Sequence, residues 1–159
     1  MYSPKRRFRL FRNPVFSGTF TYQTPLPTGV TFSDNTFTST RFANVYSSTY
    51  QTASTLSAKV QSTADTNLAL TNAVWQVYWN FLGTTATYVI YNVSEENIYE
   101  SGTRTFAIGD TFAVSYIGTT VSFTKNGSTV ASFTYAGLGS FQSLLGLNAG
   151  SSLKDVSFG

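Results

Sequence analysis

Acidic side chains that lie close together are the first place to look for chemistry, and Glu95, Glu96 and Glu100 form the densest such group in this chain. Two carboxylates on either side of a glycosidic bond would supply the acid and the base or nucleophile of sugar hydrolysis. Adjacent Glu95 and Glu96 would point to opposite faces of a strand, however, and Ser94-Glu95-Glu96-Asn97 reads as a turn. Solvated turn acids are the expectation, not a catalytic pair. Cysteine and histidine are both absent. Their absence removes the thiolate nucleophile, the usual general base of a nucleophilic triad and the common zinc ligands together. The expectation is a protein that is not an enzyme and that uses no metal or other cofactor.

Binding chemistry is better represented. Along residues 74–82, Trp75, Val77, Trp79 and Phe81 share one face of a strand, and Gln76, Tyr78 and Asn80 share the other. In the next segment Thr87, Val89, Tyr91 and Val93 read as the apolar side, which leaves Tyr88, Ile90 and Asn92 opposite. Amides and phenols gathered on one outward face can hydrogen-bond sugar hydroxyls without a metal. Gln76, Tyr78, Asn80 and Tyr88 are therefore the candidate glycan-binding residues. The alternation of Trp75 and Trp79 with Val77 and Phe81 assigns the two indoles to the core instead of to a stacking platform.

A second candidate lies at the start of the chain. Lys5, Arg6, Arg7, Arg9 and Arg12 are five of the ten basic residues, and Phe8, Leu10 and Phe11 are interleaved with them. No acid precedes Asp34, and residues 13–159 carry five basic against seven acidic side chains. The high isoelectric point thus describes a basic arm on a nearly neutral body. Such an arm can neutralise phosphates while its apolar side chains dock on protein or lipid. Its basic start is broken by Phe8-Arg9-Leu10-Phe11-Arg12 before an apolar run of signal-peptide length can form. No stretch approaches the roughly 18 apolar residues of a membrane-spanning helix.

These side chains need strands to position them. Twenty-six aromatics and 45 Ser and Thr stand beside only 17 charged residues, a mixture that suits half-buried pleated surfaces and suits solvated helices poorly. All four prolines lie in the first 27 residues, so residues 1–14 read as an extended arm and 15–159 as one domain. Phe16 to Tyr22 has the pattern of a first strand. Val30–Phe32 and Thr36–Thr38 flank the turn cluster Ser33-Asp34-Asn35 as a short hairpin, and Phe42–Tyr46 follows as a strand. Residues 47–71 show weak alternation at Leu56, Ala58 and Val60, compatible with two short strands or a long loop. Ile98–Glu100 and Thr103–Phe106, joined through Ser101-Gly102, read as another hairpin.

From Ile108 to Phe133 two glycine turns divide three alternating runs, with Asn126-Gly127 as a strong hairpin signal. Leu144, Leu145 and Leu147 are core candidates, and Leu153–Phe158 reads as a closing strand with Val156 and Phe158 inward. So many short strands imply two packed antiparallel sheets. The fold class is all-β, a single-domain two-sheet sandwich with an N-terminal arm.

The run AIGDTFAVSYIGTTVSFTKNGSTVASF and the later LLGLNAGSSLKDVSFG resemble the C-terminal half of concanavalin A-like lectin and glucanase sandwiches, over about residues 74–159. The resemblance implies a jelly roll whose first and last strands lie near each other. The superfamily's hydrolase branch uses an acidic E-x-D-x-x-E strand and its legume-lectin branch an acidic metal loop, and neither pattern occurs here. The superfamily also includes modules of viral capsids and phage tails. Combined with the basic arm, this implies a non-enzymatic virion structural protein, a minor capsid or surface component of a large DNA virus or phage. Its expected partners are other capsid or virion proteins, with nucleic acid or membrane contacted through the arm, and its expected location is the virion, or host cytoplasm during assembly. The alternative is a metal-independent carbohydrate-binding lectin module.

Overall fold

The computed structural model describes residues 15–17 and 20–159, so the arm assigned to residues 1–14 lies outside the described residues. Every strand pairing is antiparallel, and the described residues contain no helix. In chain order the elements are β1 (Val15–Ser17), β2 (Phe20–Tyr22), β3 (Val30–Ser33), β4 (Thr36–Ser39), β5 (Ala43–Tyr46), β6 (Ser54–Val60), β7 (Thr66–Thr71) and β8 (Trp75–Leu82). They continue as β9 (Thr85–Asn92), β10 (Asn97–Thr105), β11 (Thr111–Ile117), β12 (Thr120–Lys125), β13 (Ser128–Thr134), β14 (Gln142–Leu147) and β15 (Ser152–Phe158). One sheet has the order β10-β9-β8-β7-β14-β5, the other β13-β12-β11-β6-β15-β4-β3, and β1 pairs with β2 alone. As expected of a jelly roll, β15 runs beside β1 and β2.

The turns follow from residues that tolerate positive φ. Asp34 and Asn35 (φ 51° and 57°) join β3 to β4, and Asn126 and Gly127 (φ 49° and 78°) join β12 to β13. Both pairs have the twist-matched geometry of a two-residue hairpin. The three-stranded meander is present as β11, β12 and β13, and residues 47–71 hold two strands, β6 and β7.

Two elements differ from the sequence reading. The expected strand Phe16–Tyr22 is a hairpin, because Ser17 pairs with Phe20 and leaves only two residues between β1 and β2. The expected hairpin across Ser101-Gly102 is the single strand β10, paired along β9 with an irregularity between Ile98 and Glu100. Gly102 is not a turn residue. The Tyr88 ring crosses it so closely that a Cβ there would stand 2.3 Å from the Tyr88 hydroxyl and 2.5 Å from Cζ. Glycine is required for clearance, not for reversal.

The inward faces of the two sheets meet in an aromatic core. Trp79 on β8 is fully buried and crosses between the sheets. Its ring meets Phe112 at 5.0 Å and Phe123 at 5.6 Å, and its Nε1–H donates to the Ala113 carbonyl at 2.9 Å. The indole polar atom is thereby satisfied, so its whole ring contributes apolar burial at no unpaired cost. Trp75 is half-buried beside Tyr99 and Tyr135. Both indoles face inward, as their alternation implies.

A polar clasp secures the start of the meander. Asp110 Oδ2 accepts from the Ala107 N–H at 3.0 Å and Oδ1 from Asn126 Nδ2 at 2.9 Å, while Asn126 Oδ1 accepts from the Thr111 N–H. Lys125 Nζ lies 3.3 Å from Oδ2. The Ala107 N–H first, then the Asn126 amide and Lys125, hold the Asp110 carboxyl below its ordinary range. A depressed folded-state pKa gives stability that is present above the unfolded-state value and lost as pH falls through the folded one. Denaturation midpoints taken through the acid range will therefore fall more steeply in the wild type than in Asp110→Asn; parallel curves would show that the clasp carries no linked charge.

Candidate functional site

The outward face of the six-stranded sheet carries the site, and strand register decides which residues reach it. On β8 the side chains of Val77, Trp79 and Phe81 enter the core, so those of Gln76, Tyr78 and Asn80 emerge on the other side. In the β8–β9 ladder Gln76 faces Tyr91, Tyr78 faces Val89 and Asn80 faces Thr87. These six residues line one cleft of about 460 Å³, closed at its margins by Asp65, Asn67 and Ile98. That volume is within the roughly 300–1,000 Å³ of small-ligand sites.

Three of the four expected glycan-contacting residues are thus brought together, and the fourth is not. Tyr88 pairs with Trp79 on the core face, where its ring lies 5.0 Å from Phe123 and 6.0 Å from Phe133. The expected phase of β9 is inverted: Ala86, Tyr88 and Ile90 face inward, and Thr87, Val89 and Tyr91 face out. Both faces of β9 carry a tyrosine and a β-branched residue, so its own alternation is ambiguous. The Gly83-Thr84 turn resolves it, because pairing Leu82 with Thr85 forces Trp79 opposite Tyr88. Tyr91, Asn67 and Asp65 are the functional candidates that the sequence reading missed. Tyr91 could have been found from that turn, whereas Asp65 precedes β7 without any pattern to mark it.

The cleft is rigidly built on one side. Asn80 Nδ2 donates to Asp65 Oδ1 at 2.7 Å and to Asn67 Oδ1 at 3.0 Å. The Asp65 carbonyl is gripped in turn by Asn148 Nδ2 and Ser151 Oγ, both at 3.1 Å. Tyr78 packs against Tyr46, Ala69 and Leu144, a small apolar cluster separate from the main core. Burial, and then the neighbouring Tyr91, push the Tyr78 hydroxyl pKa up, so it stays a neutral donor and acceptor.

Gln76 is the exception to this satisfaction. Its side chain lies on the cleft wall in a residue only 6% exposed, and its carboxamide makes no hydrogen bond to any described residue. Neither of its amide atoms is among the fully buried polar atoms that lack a partner, so the carboxamide meets solvent through the cleft. Here it is directed at the cleft, beside the two phenols.

The acidic group lies elsewhere. Glu95 and Glu96 are exposed in the β9–β10 turn, with the Glu95 carboxylate accepting from the Tyr99 hydroxyl. Glu100 on β10 accepts from the Tyr135 hydroxyl at 3.4 Å. None of the three lines the cleft.

No protein-family model matches the sequence, and no curated protein does. Solved structures do match in shape. The carbohydrate-binding module CBM66 from Bacillus subtilis superposes with a TM-score of 0.62 at 8% identity, over 81% of this chain and 89% of that one. A Bacillus licheniformis beta-glucanase gives 0.61 at 9% identity over 98% and 92%. The botulinum neurotoxin serotype D ligand-binding domain in complex with N-acetylneuraminic acid gives 0.60 at 8% identity, over 87% of this chain and 42% of that one. The chain has the concanavalin A-like jelly-roll fold implied by its closing motifs. The expected virion role, its capsid partners and its nucleic acid or membrane contacts draw no support from these neighbours. The arm from Lys5 to Arg12 lies outside the described residues.

Proposed function

We propose that this chain is a carbohydrate-binding module that holds a glycan, without metal, in the cleft on the outward face of the six-stranded sheet. The observation that carries the reading is the Gln76 carboxamide, which has no hydrogen-bond partner among the described residues and lines the cleft beside Tyr78 and Tyr91. A planar amide can donate to one sugar hydroxyl and accept from its neighbour, and phenol rings offer faces to the C–H side of a pyranose. Val89 and Ile98 add apolar surface at the margin. The neighbours in fold include proteins named for binding or processing carbohydrate, which supports the reading without assigning a site.

Binding without turnover is part of the proposal. Canonical glycoside hydrolysis places two carboxyl groups across the bond, and Asp65 is the single carboxylate on the cleft wall. A glycan array probed with the full chain will give saturable signals on a subset of sugars. Tyr78→Ala, which removes a cleft wall outside the main core, will weaken those signals about tenfold or more with an unchanged far-ultraviolet dichroism spectrum. An array without saturable signals, or a Tyr78→Ala variant that binds as the wild type does, would refute the assignment.

A further inference from the structure

The charge and hydrogen-bonding capacity of the cleft go further and define the class of sugar, given the glycan-binding reading. Among the described residues Asp65 is the one charged side chain on its wall. The basic residues of the described chain are occupied or remote. Lys59 faces Asp155 at 3.7 Å and Lys125 faces Asp110. Arg104 donates to the carbonyls of Thr103 and Val130. Arg41 and Lys154 do not line the cleft. A sialic or uronic carboxylate placed there would meet a like charge, with no cation among the described residues to offset it.

The unused valences point the same way. Both amide protons of Asn80 are committed to Asp65 and Asn67, so Asn80 offers a ligand only its oxygen. Among the described residues no donor lies within hydrogen-bond distance of Asp65 Oδ2. With the Gln76 carbonyl oxygen these acceptors need donors from the ligand, while the Gln76 Nε2 protons need an acceptor. Sugar hydroxyls supply donors, whereas a carboxylate is acceptor only.

We propose that the cleft selects uncharged, hydroxyl-rich sugars and rejects sialylated and uronic acid-bearing ones, with Asp65 as the residue that sets the selection. The test titrates the full chain with matched pairs: lactose against sialyllactose, and neutral oligosaccharides against their uronate-terminated counterparts. The wild type will favour the neutral member by about tenfold or more. Asp65→Asn, which keeps the oxygen that Asn80 uses, will narrow that gap by strengthening the charged member. Raised salt will narrow it in the wild type as well, a readout that needs no variant. A wild-type preference for the charged member, or a ratio indifferent to both Asp65→Asn and salt, would overturn the selection while leaving glycan binding in place. Failure of every member of both series to bind would instead remove the glycan-binding reading, and the selection with it.

Discussion

Trp79→Ala lowers the free energy of unfolding by about 3–5 kcal/mol and the thermal midpoint by on the order of 10 °C. The cost is large because this side chain belongs to both sheets. It extends from β8 to Phe112 on β11 and Phe123 on β12, stacks along Phe81 and meets the Tyr88 edge. Truncation leaves a cavity whose walls are themselves locked: Phe81 is held by Phe106 and Phe112, so collapse is limited. It also strips a hydrogen bond from the Ala113 carbonyl. Trp79→Phe restores much of the volume and loses less. Guanidinium unfolding of the two variants beside the wild type measures the difference. A loss below about 1 kcal/mol for Trp79→Ala would mean that the sheets do not depend on this bridge.

Gln76→Leu separates folding from binding. In the folded protein the carboxamide has no hydrogen-bond partner among the described residues and its amide atoms reach the solvent of the cleft, so an apolar side chain of similar size forfeits no internal hydrogen bond and leaves stability within about 0.5 kcal/mol. The same change deletes the donor and acceptor directed at the ligand and lowers glycan affinity about tenfold or more. Parallel denaturation and glycan titration of the one variant read both effects. Lowered stability with undiminished affinity would make Gln76 a structural residue and leave the cleft without its anchor.

The fold was legible where local chemistry and tertiary pattern agree. Asp34-Asn35 and Asn126-Gly127 adopt positive φ with little penalty, so their hairpins follow from two residues each. β8 alternates cleanly because one of its faces is core and the other is partly open. Legibility failed where a strand is covered on both sides. All six residues of β7 are buried, as are all six of β14, so small polar residues and adjacent leucines take the place of alternation. Leu144 joins the outward cluster with Tyr46 and Ala69, while Leu145 and Leu147 enter the main core. Gly102 misled for a different reason: its meaning lies in the Tyr88 ring above it, a contact between strands that no local window contains. In the candidate site, Gln76, Tyr78 and Asn80 were readable from one strand. Tyr91 required the register of two strands and Asp65 the packing of three segments.

The position of β15 has a consequence for the order in which the chain can mature. It is inserted between β6 and β4, and β14 between β7 and β5. On the ribosome, β4, β5, β6 and β7 are therefore made long before the ribbons that zip against them. During that interval each presents an open edge. Neither sheet can be completed until β14 and β15 have emerged, so each waits on pairings distant in sequence, which slow its assembly.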